Sequence, residues 1–412
     1  MTRQGTVWPR LERIARFAVE SGINGKITAG AVSVRGLLSV SADPIAGRTA
    51  SLEGWETSPV DHMPGLLRQG KGKSMKKMMA VYDADTRYAE RLSDYVNRKE
   101  RGVFTAQAFT SKEKLAEYAA KHEIDVLLSG ERTDSGDISE IPSGQKIYMS
   151  EETERQMESG KEIYKFQSGD DIIREVMAVY SEIPGIRPNT AGSVDQSRRI
   201  IGVYSPVGRC GKTCLALAIG QILAKEEKVL FVTLDTFTGF TGLLNERWKR
   251  DLSDLIYYYK QERFHIVRLN SLVYYLGDMA WIPPIRIPQD YAQLTAQEMA
   301  DLMERILREG NYTTLVLDIG DYGRDTLPLL EKCQVVYAPI REDPFSAEKM
   351  REFEEYLETT GNNAVAEKIQ KIHVPMVTGG RRMEHFPQEL LWGDMGDFVR
   401  SLLKGQRNLW DN

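Results

Sequence analysis

From Met78 onward, short apolar runs alternate with amphipathic stretches, the rhythm of a sheet whose strands are joined by helices. Met78 to Tyr82, Val103 to Phe109 and Asp125 to Ser129 read as strands, with helices at Arg87 to Asn97 and Ser111 to Lys121. Lys146 to Met149 and Ile163 to Phe166 add two short strands, and a helix over Asp170 to Tyr180 closes the series. Five strands at such short intervals predict a small doubly wound parallel layer over 75–182. A second series begins after residue 198. Its strands are Ile200 to Ser205, Lys228 to Leu234, Thr314 to Asp318, Cys333 to Ile340 and Ile372 to Val377, with helices at Cys214 to Ala224 and Ala296 to Arg308. Trp281 to Ile285, with its paired prolines, reads as a loop. The expected fold is therefore α/β, two doubly wound parallel-sheet domains at 75–182 and 198–412 joined by a Pro/Gly/Asn/Ser-rich linker at 183–197.

Residues 1–74 carry only short apolar clusters and end in the basic run Arg68 to Lys73, ahead of Met75. A flexible extension, an upstream stretch outside the working protein and a small ordered subdomain all fit that pattern. The 412 residues suffice for two or three cores, and a net charge of -5 gives no global reason to expect a nucleic-acid partner. Cys210, Cys214 and Cys333 show neither metal-ligand spacing nor a disulfide framework, which points to a reducing cytoplasm. No apolar run approaches a membrane span, and the N-terminus has no continuous signal-peptide core. Leu390, Leu391, Trp392, Met395, Phe398, Val399, Leu402 and Leu403 recur at helical spacing. Asp394 and Asp397 stand where a membrane-surface helix would carry basic residues, so a core-packing helix is expected. Tyr257 to Tyr259 reads as one wall of a helix, and His265, His373 and His385 fit no metal spacing.

The chemistry concentrates where the strand Ile200 to Ser205 runs into Gly208-Arg209-Cys210-Gly211-Lys212-Thr213 and then into an apolar helix beginning at Cys214. Glycines let backbone amides close around phosphates, Lys212 supplies a point charge, the Thr213 hydroxyl can ligate Mg²⁺, and the helix start adds its positive end. One departure is Pro206, where the loop pattern asks for glycine. The strand ending at Leu234 delivers Asp235 to its carboxyl end, where open α/β sheets place ligands. Asp235 is read as a water-orienting or Mg²⁺ residue, with a helix or turn cap as the alternative, and the glycines of Thr236 to Gly242 permit movement with the phosphate state. Thr314 to Asp321 has the form of a Walker B strand and switch: Asp318 would hold Mg²⁺ through water, the Gly320 amide could sense a terminal phosphate, and Asp321 is a weaker candidate. Pro339 and the loop Arg341 to Ser346 form a plausible base-contacting edge.

That order of motifs resembles the MinD/ParA group of P-loop ATPases. Residues 75–182 resemble a response-regulator receiver, with its acidic pair partly kept by Asp83 and Asp85, its acceptor aspartate replaced by Ser129, and Ser150 and Lys165 near its hydroxyl and lysine positions. Without an acceptor carboxylate this is read as a pseudo-receiver used for docking or dimerisation. The pairing resembles the TadZ/CpaE localisation ATPases of Flp-type (tight adherence) pilus systems over residues 75 to about 404. The resemblance implies ATP with Mg²⁺, an ATP-favoured homodimer, pilus or secretion machinery as partners, and a cytoplasmic protein at a cell pole, peripheral to the inner face of the membrane. The loop motif by itself leaves ATP and GTP open. The group's signature second lysine, which reaches across the dimer, falls on Val207, with Arg209 two residues on. Losing that cation implies slow or absent hydrolysis. The alternatives are a bacterial tyrosine kinase and a ParA-like partitioning ATPase. The first wants a C-terminal tyrosine cluster, whereas the last tyrosine is Tyr356; the second wants a basic surface.

Overall fold

The computed structural model describes residues 76–99, 103–132, 137–151, 162–183, 198–244, 247–320, 325–376 and 386–410. The expected extension at 1–74, residues 184–197 of the expected linker, Asp321, Val377 and His385 lie outside them.

The first sheet is built from β1 (Lys77–Tyr82), α1 (Thr86–Arg98), β2 (Phe104–Phe109), α2 (Lys112–Ala119), β3 (Val126–Ser129), α3 (Asp137–Glu140), β4 (Gln145–Ser150), β5 (Glu162–Tyr164) and α4 (Gly169–Tyr180). All its strands are parallel, in the order β2-β1-β3-β4-β5, a doubly wound arrangement. Its helices start where short polar side chains satisfy first-turn amides: Asp85 accepts from Arg87 and Tyr88, and Ser168 from Asp171. At the edge strand the Asn97 carboxamide takes both backbone groups of Ala106, at 2.8 and 2.9 Å, so one fewer pair is open to a foreign strand.

The second sheet follows as β6 (Arg199–Val203), α5 (Lys212–Leu223), β7 (Val229–Thr233), α6 (Phe240–Leu243), α7 (Leu252–Lys260), α8 (Ile266–Asn270), β8 (Tyr274–Leu276), β9 (Met279–Ile282), a 3-10 turn (Pro288–Gln293), α9 (Ala296–Glu309), β10 (Thr314–Asp318), α10 (Leu327–Lys332), β11 (Val335–Ile340), α11 (Pro344–Thr359), α12 (Asn363–Ala366), β12 (Ile369–His373), α13 (Phe386–Trp392) and α14 (Asp394–Trp410). The order is β12-β11-β6-β10-β7-β9-β8, parallel throughout except for the β8–β9 hairpin. One face packs on α5, α13 and α14, where Leu390, Met395, Val399 and Leu403 are buried, so the C-terminal stretch packs on the core as expected, but as two helices that break at Gly393. The other face packs on α7, α9 and α10, with Tyr258 and Tyr259 lying against that core.

Two expectations are corrected. Trp281 to Ile285 is not simply a loop: its first two residues end β9, which pairs with β7, and Trp281 is buried among Phe240, Trp248 and Tyr274. The prolines follow the last ladder residue and end the strand rather than exclude it. The last strand runs Ile369–His373, earlier than Ile372 to Val377, because as an edge it carries polar residues that give no apolar run.

The two sheets pack within one compact unit through α4 and α8. Val267 is buried in the core of the first sheet. The buried Arg268 donates Nε and Nη2 to the Ser181 carbonyl at 3.3 and 3.1 Å, with its guanidinium 4.7 Å from the Tyr258 ring centre. Arg174 donates to the Val273 carbonyl at 3.1 Å and stacks 3.5 Å over Tyr274, and Lys249 pairs with Glu175. Arg268→Ala strips the Ser181 carbonyl of both guanidinium donors and should cost about 1–3 kcal/mol in urea unfolding. Arg268→Lys, which lacks the planar fork, should recover only part of that loss.

Candidate phosphate and cation site

β6 leaves the middle of the sheet, and the chain turns through Tyr204 to Gly211 before entering α5. Two left-handed residues make the turn: Arg209 (φ +57°) and Gly211 (φ +87°), the second at the helix N-cap. An N-cap without a side chain leaves the first amides of α5 with no side-chain acceptor, at the positive end of the helix. Val207 ties the loop together. Its amide donates to Ser205 Oγ at 3.2 Å, its carbonyl accepts from Cys210 Sγ and Lys212 Nζ at 3.1 Å each, and its side chain is only 3% exposed. Gly208 faces open space. Beyond β11, Arg341 donates to the Arg209 carbonyl at 3.4 Å, which brings the loop after buried Pro339 against the phosphate-type loop.

The acids arrive by strand register. β10 lies between β6 and β7, so Asp318 stands opposite Val203 on one side and Thr233 on the other. Asp318 is 1% exposed; its Oδ2 accepts from Thr233 Oγ1 at 2.9 Å, while Oδ1 is buried without a hydrogen bond. Burial pushes the carboxyl up to about 6, against the pull of the Thr213 and Thr233 hydroxyls and of the Lys212 charge, with Asp235 adding to the push. Lys212, Thr213, Asp235 and Asp318 therefore converge on one spot. Gly320 packs against Asp235 so closely that a Cβ would lie 2.6 Å from its Cγ; close approach, not a positive φ, is what requires glycine there.

These residues fit a phosphate and a hard cation. A buried carboxylate oxygen with nothing to bond, beside a threonine hydroxyl, is an oxygen pair of the kind Mg²⁺ takes. Among the described residues no cluster of three or more His, Cys, Asp or Glu could hold a metal alone, so such a cation would draw its other ligands from phosphate and water. Cys210 is buried and bonded within the loop, and burial pushes the Cys214 thiol up, with Asp318 adding to it. Thr233 and Ser205 were not legible as site residues, since a threonine in an apolar strand and a serine at a strand end carry no signal by themselves.

In the first sheet, Asp83 and Lys165 come together: Nζ sits 2.9 Å from Asp83 Oδ2 and 3.3 Å from exposed Glu151. Burial pulls that ammonium down, but the two carboxylates outweigh it and hold it above its usual range. Ser129 is turned to its own loop, donating to the Glu131 carbonyl at 2.7 Å, and Asp85 is spent capping α1.

No protein-family model matches the chain, and no curated protein matches it. Among solved structures it is similar to a ParA family ATPase from Chlorobium tepidum, at 16% identity over 52% of this chain and 90% of that one, TM-score 0.38. It is similar to a plasmid partition protein from Borrelia burgdorferi, at 16% identity over 50% and 99%, TM-score 0.36. A third is the septum site-determining protein MinD from Pyrococcus horikoshii complexed with Mg-ADP, at 14% identity over 43% and 81%, TM-score 0.34. Central strand, Gly-Lys-Thr turn, helix, and acids at the ends of two neighbouring strands define the class of this α/β protein: the P-loop NTPase fold. Among the described residues no helix is long and apolar enough to cross a membrane.

Proposed function

We propose that the chain binds ATP with Mg²⁺ and uses the bound state as a dimerising, localising switch for a Flp (Tad) type pilus or secretion system, hydrolysing ATP slowly or not at all. The observation that carries this reading is Val207. The position of the group's signature lysine is filled by a buried side chain whose backbone is bonded at both ends, so it is spent on building the loop. Exposed Arg209, two residues on, would be the cation to act in its place. The binding side is well furnished. The amides from Gly208 to Cys214 and the Lys212 ammonium would hold phosphates; the Thr213 hydroxyl and Asp318 would hold Mg²⁺; Asp235 would orient water beside Gly320; and Pro339 and Arg341 would edge the base. Mg²⁺, when bound, would neutralise charge on the phosphates.

The first sheet is read as a pseudo-receiver. Its Asp83 carboxylate is already paired with Lys165, and α4 packs against α8 of the second sheet's unit, so docking or dimerisation would use its other faces. The test is light scattering with ATP and Mg²⁺, with ADP, and with neither, alongside phosphate release. An ATP-specific dimer with little release is expected. Ordinary enzyme turnover that is unaffected by Arg209→Ala, with a nucleotide-independent size, would refute the reading.

A further inference from the structure

We infer that Thr233 is a positioning residue that aims Asp318 at the divalent cation and ties it to Asp235; this rests on the nucleotide reading above. Thr233 ends β7 in direct register with Asp318 and is fully buried. Its hydroxyl meets two partners: the Asp235 amide donates to Oγ1 at 3.4 Å, and Oγ1 lies 2.9 Å from Asp318 Oδ2. An amide can only donate, so the hydroxyl receives there and is left to give its one proton to the carboxylate. That bond restrains the carboxylate through Oδ2 and leaves Oδ1 as the oxygen with nothing to bond. The same hydroxyl holds the backbone at Asp235, whose side chain is wedged against Gly320. One buried oxygen therefore sets both acids, as outer-shell partners do when they orient metal ligands.

The experiment compares ADP affinity by calorimetric titration, with Mg²⁺ and with EDTA, in wild type, Thr233→Val and Thr233→Ser, with Mn²⁺ uptake by the ADP complex followed by electron paramagnetic resonance. Valine keeps the shape and removes the hydroxyl; serine keeps the hydroxyl. Thr233→Val should lower Mn²⁺ affinity and the gain that Mg²⁺ gives to ADP binding by about 10- to 100-fold, leaving EDTA-state binding unchanged. Thr233→Ser should restore most of both. Equal losses with and without Mg²⁺, equal losses in the valine and serine variants, or no loss in valine would overturn the assignment. If Thr233→Val fails to fold, the serine variant decides alone: it must keep Mn²⁺ affinity close to wild type. Wild type that binds no ADP under either condition would sink the nucleotide reading itself, a result separate from all of these.

Discussion

Lys212→Ala should lower ATP affinity about 30- to 140-fold, since charge-assisted bonds to a phosphate contribute about 2–3 kcal/mol and each 1.4 kcal/mol is tenfold. Its melting temperature should barely move. Without nucleotide the ammonium makes one hydrogen bond, to the Val207 carbonyl, and Cys210 Sγ still serves that carbonyl once the lysine is gone. The side chain is half-buried at the mouth of the site rather than packed in a core. Binding energy and folding energy are therefore separable at this position. Parallel calorimetric titration and thermal melting would check it: unaltered affinity would remove Lys212 from the phosphate site, and a collapsed melt would make it structural.

The parts of the molecule that were legible are those where local chemistry leaves little choice. Buried parallel strands need apolar runs, so β1, β6, β7 and β10 stand out. A backbone cradle for phosphate needs small residues before a lysine and a hydroxyl, so Gly208 to Thr213 stands out as well. β9 hid behind Pro283 and Pro284, and β12 behind the polar residues of an edge. The α4–α8 junction depends on Arg268 reaching the carbonyl of Ser181, a partner 87 positions away that no local pattern foretells. Thr233 was hidden for the same reason: its role exists only because parallel register lays it beside Asp318.

The carboxylate at Asp318 costs the nucleotide-free fold stability, and Asp318→Asn should return it. Burial raises the folded-state carboxyl from an ordinary value near 3.8 to about 6. Below about pH 4 both folded and unfolded chains hold the proton and the penalty is absent. As pH rises from about 4 to about 6, the unfolded chain releases it first, so stability falls across that window and stays lower above it. With roughly 1.4 kcal/mol for each unit, asparagine should gain on the order of 2–4 kcal/mol at pH 7 in EDTA, and about nothing near pH 4. Urea unfolding at the two pH values measures the difference. If Asp318 holds the cation as proposed, the ranking should narrow or invert with Mg²⁺ and ATP, because a ligand that binds only the folded state stabilises wild type and the variant lacks that charge. An asparagine variant that is weaker at pH 7 in EDTA, or equally stabilised by Mg²⁺ and ATP, would contradict this account. On the proposed reading a cation would complete the unbonded, buried Oδ1, and the stability it costs in the empty state would widen the difference between the free and bound forms.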